Sequence, residues 1–264
     1  MLEGLNLYYS LAGAFVSFLV GLTGVGGGSL MAPILILVFG INPALAVGTD
    51  LWFAAITKSV GGAIHHKFGS PDWQTVYRLA AGSLPAAILT LIWLAVAHGG
   101  KLDAGLLMRL LGAALLLTAV LMMLKPRMRD PLKRLRDRMG PSMRSQQMVA
   151  TVVGGAVVGS LVALTSVGAG ALVAVLLTVV YPLRLRAKDI VGTDIIHAVP
   201  LTLVAAIGHS WLGNVDTWLL GSLLIGSVPG IIVGSLVSGR VNDHLVRYAL
   251  AAMLVVSALK MITS

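Results

Sequence analysis

Leu22-Thr23-Gly24-Val25-Gly26-Gly27-Gly28-Ser29 interrupts an apolar run that extends from Leu5 to Phe39. Glycine inside a helix costs about 1 kcal/mol relative to alanine, so four glycines within residues 24–28 predict a break. Pro33 follows within the first turns of the next segment, where proline is tolerated. The run is too long for one span of roughly 20 residues and too short for two. It reads as two half-length helices meeting at 24–28. The pattern returns once, at an offset of 142: Leu164-Thr165-Ser166-Val167-Gly168-Ala169-Gly170 lies inside the apolar run from Met148 to Tyr181.

Three further anchors recur at an offset of 144. Gly48-Thr49-Asp50 matches Gly192-Thr193-Asp194. Asp72-Trp73 matches Asp216, with Trp218 one residue late, and Ser83-Leu84-Pro85 matches Ser227-Val228-Pro229. The change of offset places a two-residue insertion between the glycine break and the Gly-Thr-Asp motif. Each copy continues with three spans. The first copy has them at about 43–64, 75–97 and 103–124, with Asn42 as helix cap and Pro43 at the first helical position. The second has them at about 190–209, 216–238 and 244–262. The chain therefore divides into a first membrane repeat at 1–124, a basic linker at 125–147 and a second membrane repeat at 148–264.

Only 11% of the 264 residues are charged and 57% are hydrophobic, against about 25% charged in an average soluble domain. The chain is an integral membrane protein with the lipid bilayer as its surroundings. It has no cysteine, which excludes disulfides and thiol chemistry. The N-terminus lacks a basic n-region, so no signal peptide is expected. The net charge of +9 is concentrated: residues 125–147 hold eight basic and two acidic residues, a net +6. That is a cytoplasmic loop under the positive-inside rule, not a nucleic-acid surface.

Loop charge also sets the topology. With 125–147 in the cytoplasm, Lys67 and Arg78 fall inside and the uncharged loop near 40–42 falls outside. Arg184, Arg186 and Lys188 fall inside only if 148–181 enters and leaves on the same face. The predicted fold is an all-α polytopic membrane protein of two inverted repeats. Each repeat is a broken re-entrant helix hairpin plus three transmembrane helices, eight segments in total, with both termini outside. Paired broken helices at the midplane are a signature of secondary transporters.

A half-helix starting at a glycine-rich break turns its free N–H groups and positive dipole end toward the break. Such a tip suits a small anion. The candidate substrate-binding residues are Gly24, Val25, Gly26, Gly27, Gly28 and Ser29 at one tip and Ser166, Val167, Gly168, Ala169 and Gly170 at the other. Thr49, Thr193 and Lys58 complete the set. Lys58 has no charged counterpart, since offset 144 gives Thr202; snorkelling toward the cytoplasm is its structural alternative. Asp50, Asp194 and His197 are the candidate coupling groups for a proton. An ionised carboxylate would repel an anion beside it, so proton coupling requires an acid to be protonated during the cycle. The structural alternatives are close packing for the glycines, helix capping for the acids and a neutral buried histidine at 197. No metal or cofactor is expected: His65 and His66 are adjacent, point apart and have no further ligand nearby. Arg78, Arg109 and Arg247 read as interfacial anchors.

The motifs Gly21-Leu-Thr-Gly-Val-Gly-Gly-Gly-Ser29, Val47-Gly-Thr-Asp50 and Gly213-Asn-Val-Asp216 resemble the TauE/SafE sulfite-exporter family of bacterial membrane transporters. The resemblance covers nearly the whole chain. It implies a permease for small sulfur-containing anions, such as sulfite or an organosulfonate, in the inner membrane. Many relatives carry Gly-Thr-Ser where this chain twice carries Gly-Thr-Asp. The expected activity is a secondary transporter using alternating access, with one unit moving against the other and the proton as candidate coupling ion. The alternative is an anion channel or uniporter for another small oxyanion. The histidines at 65, 66, 98, 197, 209 and 244 are scattered and no nucleophile–base set appears, so no enzyme is expected. A homo-oligomer is compatible with the sequence.

Overall fold

The computed structural model describes residues 6–23, 30–65, 71–139, 144–182, 184–237, 241 and 243–263. Among them are ten helices: α1 (Leu7–Thr23), α2 (Met31–Leu37), α3 (Pro43–His65), α4 (Trp73–His98), α5 (Ala104–Met139), α6 (Arg144–Thr165), α7 (Ala171–Val180), α8 (Ala187–Trp211), α9 (Thr217–Val237) and α10 (Asp243–Thr263). There is no strand among the described residues. Six helical stretches are long and apolar enough to cross a membrane: Trp73–His98, Ala104–Leu124, Gln146–Thr165, Lys188–Trp211, Thr217–Val237 and Leu245–Thr263.

The second run is broken at 166–170, and in both runs the two helices are unequal. In the second run α6 has 22 residues and α7 has 10, or about 33 Å and 15 Å of helix. In the first run α1 has 17 residues and α2 has 7. The expectation of two half-length helices is corrected accordingly: the first arm is a long helix and only the return arm is short. Polar residues at the start of α6, Arg144 to Gln147, are helical, which hydropathy assigns to the linker. A second correction concerns the basic stretch. It is not a loop from residue 125, because α5 runs through it to Met139. Leucine, methionine, lysine and arginine are good helix formers, and charge marks where the membrane ends, not where the helix does.

Sequence neighbours are seldom the main packing partners. α1 packs chiefly on α9, α6 on α4, α5 on α10 and α3 on α8. The α1–α9 and α4–α6 contacts are backbone to backbone. A Cβ at Gly13 would overlap the Leu223 carbonyl and one at Gly226 the Ser10 carbonyl. On the other pair, a Cβ at Gly155 would come 2.7 Å from the Leu79 oxygen, and one at Gly82 would overlap the Val152 carbonyl. Small residues permit this approach where lipid removes any hydrophobic drive for helix pairing. Ser17 and Ser227 add a buried hydroxyl–hydroxyl hydrogen bond of 2.7 Å across α1–α9.

The outside of the bundle is apolar. Ile88, Leu89, Ile92 and Val96 of α4 are exposed, as are Ile225, Val228, Ile232 and Leu236 of α9. Polar side chains face inward, with Thr49, Asp50, Thr193, Asp194, His197 and Ser83 all buried. This is the arrangement of a protein solvated by lipid. The polar interior lies along α3 and α8, beside the 166–170 break.

Candidate functional site

Asp50 and Asp194 are both the eighth residue of their helices, counted from Pro43 of α3 and Ala187 of α8. The threonine before each acid is fully buried and tied to a distant loop. The Thr49 hydroxyl accepts the Asp216 N–H at 3.1 Å. The Thr193 hydroxyl accepts the Asp72 N–H at 3.0 Å. Asp216 and Asp72 in turn start α9 and α4 as caps, accepting from Leu219 N–H at 2.9 Å and Thr75 N–H at 2.8 Å. Each Gly-Thr-Asp motif thus braces the loop that begins a packing helix and aims its acid inward. Both threonine hydroxyls keep a hydrogen to donate.

The second break is a compact polar tip. The Ser166 N–H donates to the Val162 carbonyl at 2.8 Å and closes α6. Ser166 then turns left-handed, with φ 58°, a conformation uncommon for a residue with a side chain. Gly168 and Gly170 follow at φ 118° and 138°, where a side chain would be strained. The Val167 N–H is held by the Thr165 hydroxyl at 3.2 Å. No side chain caps the start of α7 at Gly170. Val167 and Ala169 are buried with the rest of the tip. The equivalent tip, Gly24, Val25, Gly26, Gly27, Gly28 and Ser29, lies outside the described residues.

Two charged side chains, Asp50 and Lys58, meet this tip. Asp50 is wholly buried, and neither of its oxygens closes a hydrogen bond with a described residue. Its polar neighbours are the Ser166 side chain, the backbone of Ala32 in α2, and Lys58. Ser166 Oγ is likewise buried, beside Asp50, and closes no hydrogen bond within 3.5 Å among the described residues. Lys58 does not snorkel. Its Nζ donates to the Ala169 carbonyl at 2.5 Å, inside the break, and it lies within electrostatic reach of Asp194 and Asp50. Lysine carries a flexible four-carbon stem and three donors, so one side chain can hold the break and balance the acids. His197 is also wholly buried. Its Nε2 pairs with Ser83 Oγ at 2.7 Å, and Lys58 is in electrostatic reach.

The structure therefore brings together Asp50, Lys58, Ser166, Ala169, Asp194 and His197. It places Thr49 and Thr193 one layer out, as braces. Ser83 escaped the sequence reading as a site residue, although its Ser-Leu-Pro triplet marks the repeat. A second buried histidine was also missed. His209 Nε2 bonds the Ala163 carbonyl at 2.8 Å, and Asn214 Nδ2 lies 3.5 Å from its Nδ1. Neither Ser83 nor His209 has a local signal, because their partners are 114 and 46 residues away. His65 and His66 add nothing here: His66 and the side chain of His65 lie outside the described residues.

Chemically, the centre combines two buried carboxylates, one ammonium, a buried hydroxyl beside one of the acids and a half-helix start that no side chain caps. That set can hold a small anion or exchange a proton.

The profile of the family described as "Sulfite exporter TauE/SafE" matches residues 9–261. A Bacillus subtilis (strain 168) protein named "Probable membrane transporter protein YjnA" is 38% identical over 253 residues, covering 96% of this chain and 98% of the relative. A second protein of that organism, "Probable membrane transporter protein YdhB", is 27% identical, with 83% of this chain and 85% of the relative covered. A "Probable membrane transporter protein" of Haemophilus influenzae is 24% identical, with coverage of 88% and 85%. No solved structure matches the chain.

Proposed function

Because the chain belongs to the sulfite exporter TauE/SafE family, whose similar members are named membrane transporters, we propose that it is a secondary transporter. Its cargo is a small sulfur-containing oxyanion, such as sulfite or an organosulfonate. The observation that carries this reading is Asp50: a buried carboxylate beside Ser166 and Lys58, at a glycine-rich break, that closes no ion pair among the described residues. A burial this costly is kept for function or for a specific partner. The Asp50 carboxylate also neighbours the backbone at the start of the half-helix α2. It stands where an anionic substrate would bind, so its protonation or displacement would make room for one. That links anion movement to a proton, with Asp194 in the matching role and His197 as a further titratable group in reach.

The proposed frame is two inverted repeats, 1–124 and 148–264, in the inner membrane, with the termini outside and the 125–147 stretch in the cytoplasm. Reciprocal pairing supports the repeat: α1 meets α9 as α6 meets α4, and Thr49 meets Asp216 as Thr193 meets Asp72. In this reading the moving bodies are not the sequence repeats themselves. Sliding one repeat past the other would tear the glycine contacts of α1–α9 and α4–α6. Alternating access instead moves the α1–α9 pair against the α4–α6 pair, around the α3–α8 centre.

The test is uptake of radiolabelled sulfite into proteoliposomes, with and without an imposed pH gradient, for the wild type, Asp50→Asn and Asp194→Asn. Gradient-driven accumulation that either substitution abolishes supports the reading. Flux indifferent to both the gradient and the substitutions would reject proton coupling and leave a uniporter or channel.

A further inference from the structure

We propose that the chain carries a second anion site, outside the buried centre, that takes the phosphate of an anionic phospholipid headgroup. It is a cavity of about 530 Å³ lined by Gln74 and Arg78 of α4, Gln147 of α6 and Arg184 of the α7–α8 loop. Its position is at the membrane interface. Trp73 and Tyr77, on the same turns of α4, are 53% and 69% exposed, as interfacial aromatics are. The cavity sits at the open end of the α6–α7 hairpin, away from the break, so it does not depend on which anion is transported.

The hydrogen bonding of this cavity leaves it rich in donors. Arg184 uses one terminal nitrogen, Nη2, for both Asp72 at 2.7 Å and the Gln74 carboxamide oxygen at 2.9 Å. Its Nε and Nη1 remain, as does the NH₂ of Gln74. Arg78 donates from Nη1 to the Tyr181 hydroxyl at 3.2 Å. Among the described residues it has no carboxylate within ion-pair distance. The Tyr181 hydroxyl is itself fixed by Thr151 at 2.8 Å, and Thr151 donates to the Gln147 carbonyl at 2.6 Å. The Arg184 guanidinium lies 5.7 Å from the centre of the Tyr181 ring, which holds its plane. Two arginines, one of them with no carboxylate at ion-pair distance among the described residues, are set on a hydrogen-bonded floor.

Guanidinium forks match phosphate oxygens in pairs. Basic pockets between helices at the interface take anionic headgroups. The volume favours a glycerophosphate group over a bare tetrahedral ion, which would leave most of the cavity empty. The Gln147 carboxamide oxygen supplies an acceptor for a headgroup hydroxyl. A lipid held here would bridge α4 to the hairpin of the other half of the chain.

The experiment is thermal unfolding of the purified full-length protein in detergent, titrated with phosphatidylglycerol, phosphatidylcholine of the same chains, or inorganic phosphate. Phosphatidylglycerol should raise the midpoint by roughly 2–4 °C, and the other two should not. Arg78→Gln should weaken phosphatidylglycerol binding roughly tenfold and erase the shift. Arg109→Gln, an exposed arginine outside the cavity, should keep it. Gln74→Leu, at an exposed position, gives a second variant if Arg78→Gln does not fold, and it should also reduce the shift. Equal shifts from both lipids, or an undiminished shift in Arg78→Gln and Gln74→Leu, would overturn the site. An equal shift from inorganic phosphate would overturn the lipid assignment in favour of a free oxyanion.

Discussion

The backbone N–H of Asp216 donates to the hydroxyl of Thr49 at 3.1 Å, which ties the start of α9 to the turn of α3 that presents Asp50. The same tie joins Asp72 and Thr193 at 3.0 Å. Valine at position 49 or 193 would keep the shape and orphan a partly buried N–H. Each Thr→Val change should cost about 1–3 kcal/mol and lower the unfolding midpoint, while Thr→Ser should restore it. If Thr49→Val melts like the wild type, the brace is not structural.

The glycine contacts make a sharper prediction, because the chain supplies its own control. A Cβ at Gly226 would overlap the Ser10 carbonyl and one at Gly82 the Val152 carbonyl, whereas a Cβ at Gly221, on the same helix as Gly226, meets nothing within 4 Å. Gly226→Ala and Gly82→Ala should each destabilise by about 1–3 kcal/mol through overpacking. Gly221→Ala should be neutral or slightly stabilising, because alanine is the better helix former. Midpoints from thermal or detergent-titrated unfolding compare all three. Equal behaviour of Gly226→Ala and Gly221→Ala would show that the α1–α9 seam is not closely packed.

Lys58 is a lysine set between two acids and the tip. Lys58→Met should reduce transport at least tenfold, since it removes the donor to Ala169 and the counter-charge together. It should also destabilise the fold, because an unbalanced buried charge costs about 3–5 kcal/mol. Asp194→Asn made in the Lys58→Met background should cost less than it does alone, with a coupling of about 0.5–3 kcal/mol. Strictly additive losses in that cycle would place Lys58 and Asp194 in separate networks.

How far the sequence reached depends on how local each signal was. The break at 166–170 was legible because glycine acts through its own backbone, and the structure answers with positive φ at Gly168 and Gly170. The recurrence at 142 and 144 was legible for the same reason, as identity of short motifs. The inequality of α6 and α7 was not, because hydropathy measures how apolar a segment is and not where along it the chain turns. The inward course of Lys58 was hidden too. A lysine six or seven residues from a helix end reads as a snorkelling residue until its acceptor is known, and the Ala169 carbonyl is 111 residues away. The pairing of His197 with Ser83 met the same obstacle, at a separation of 114.

The seam between α1 and α9 also governs how the protein is made. Ser17 and its partner Ser227 are 210 residues apart, and a ribosome adds roughly 5–20 residues each second. Once made, α1 therefore waits about 10–40 s before its chief neighbour exists. Throughout that interval the small-residue face of Gly13 and Ser17 lacks the α9 backbone that it meets in the folded structure. Assembly cannot proceed as one half followed by the other, because α1 and α6 each find their main packing partner in the opposite half. Biogenesis of this fold therefore includes an interlocking step, and a chain truncated before α9 would strand α1.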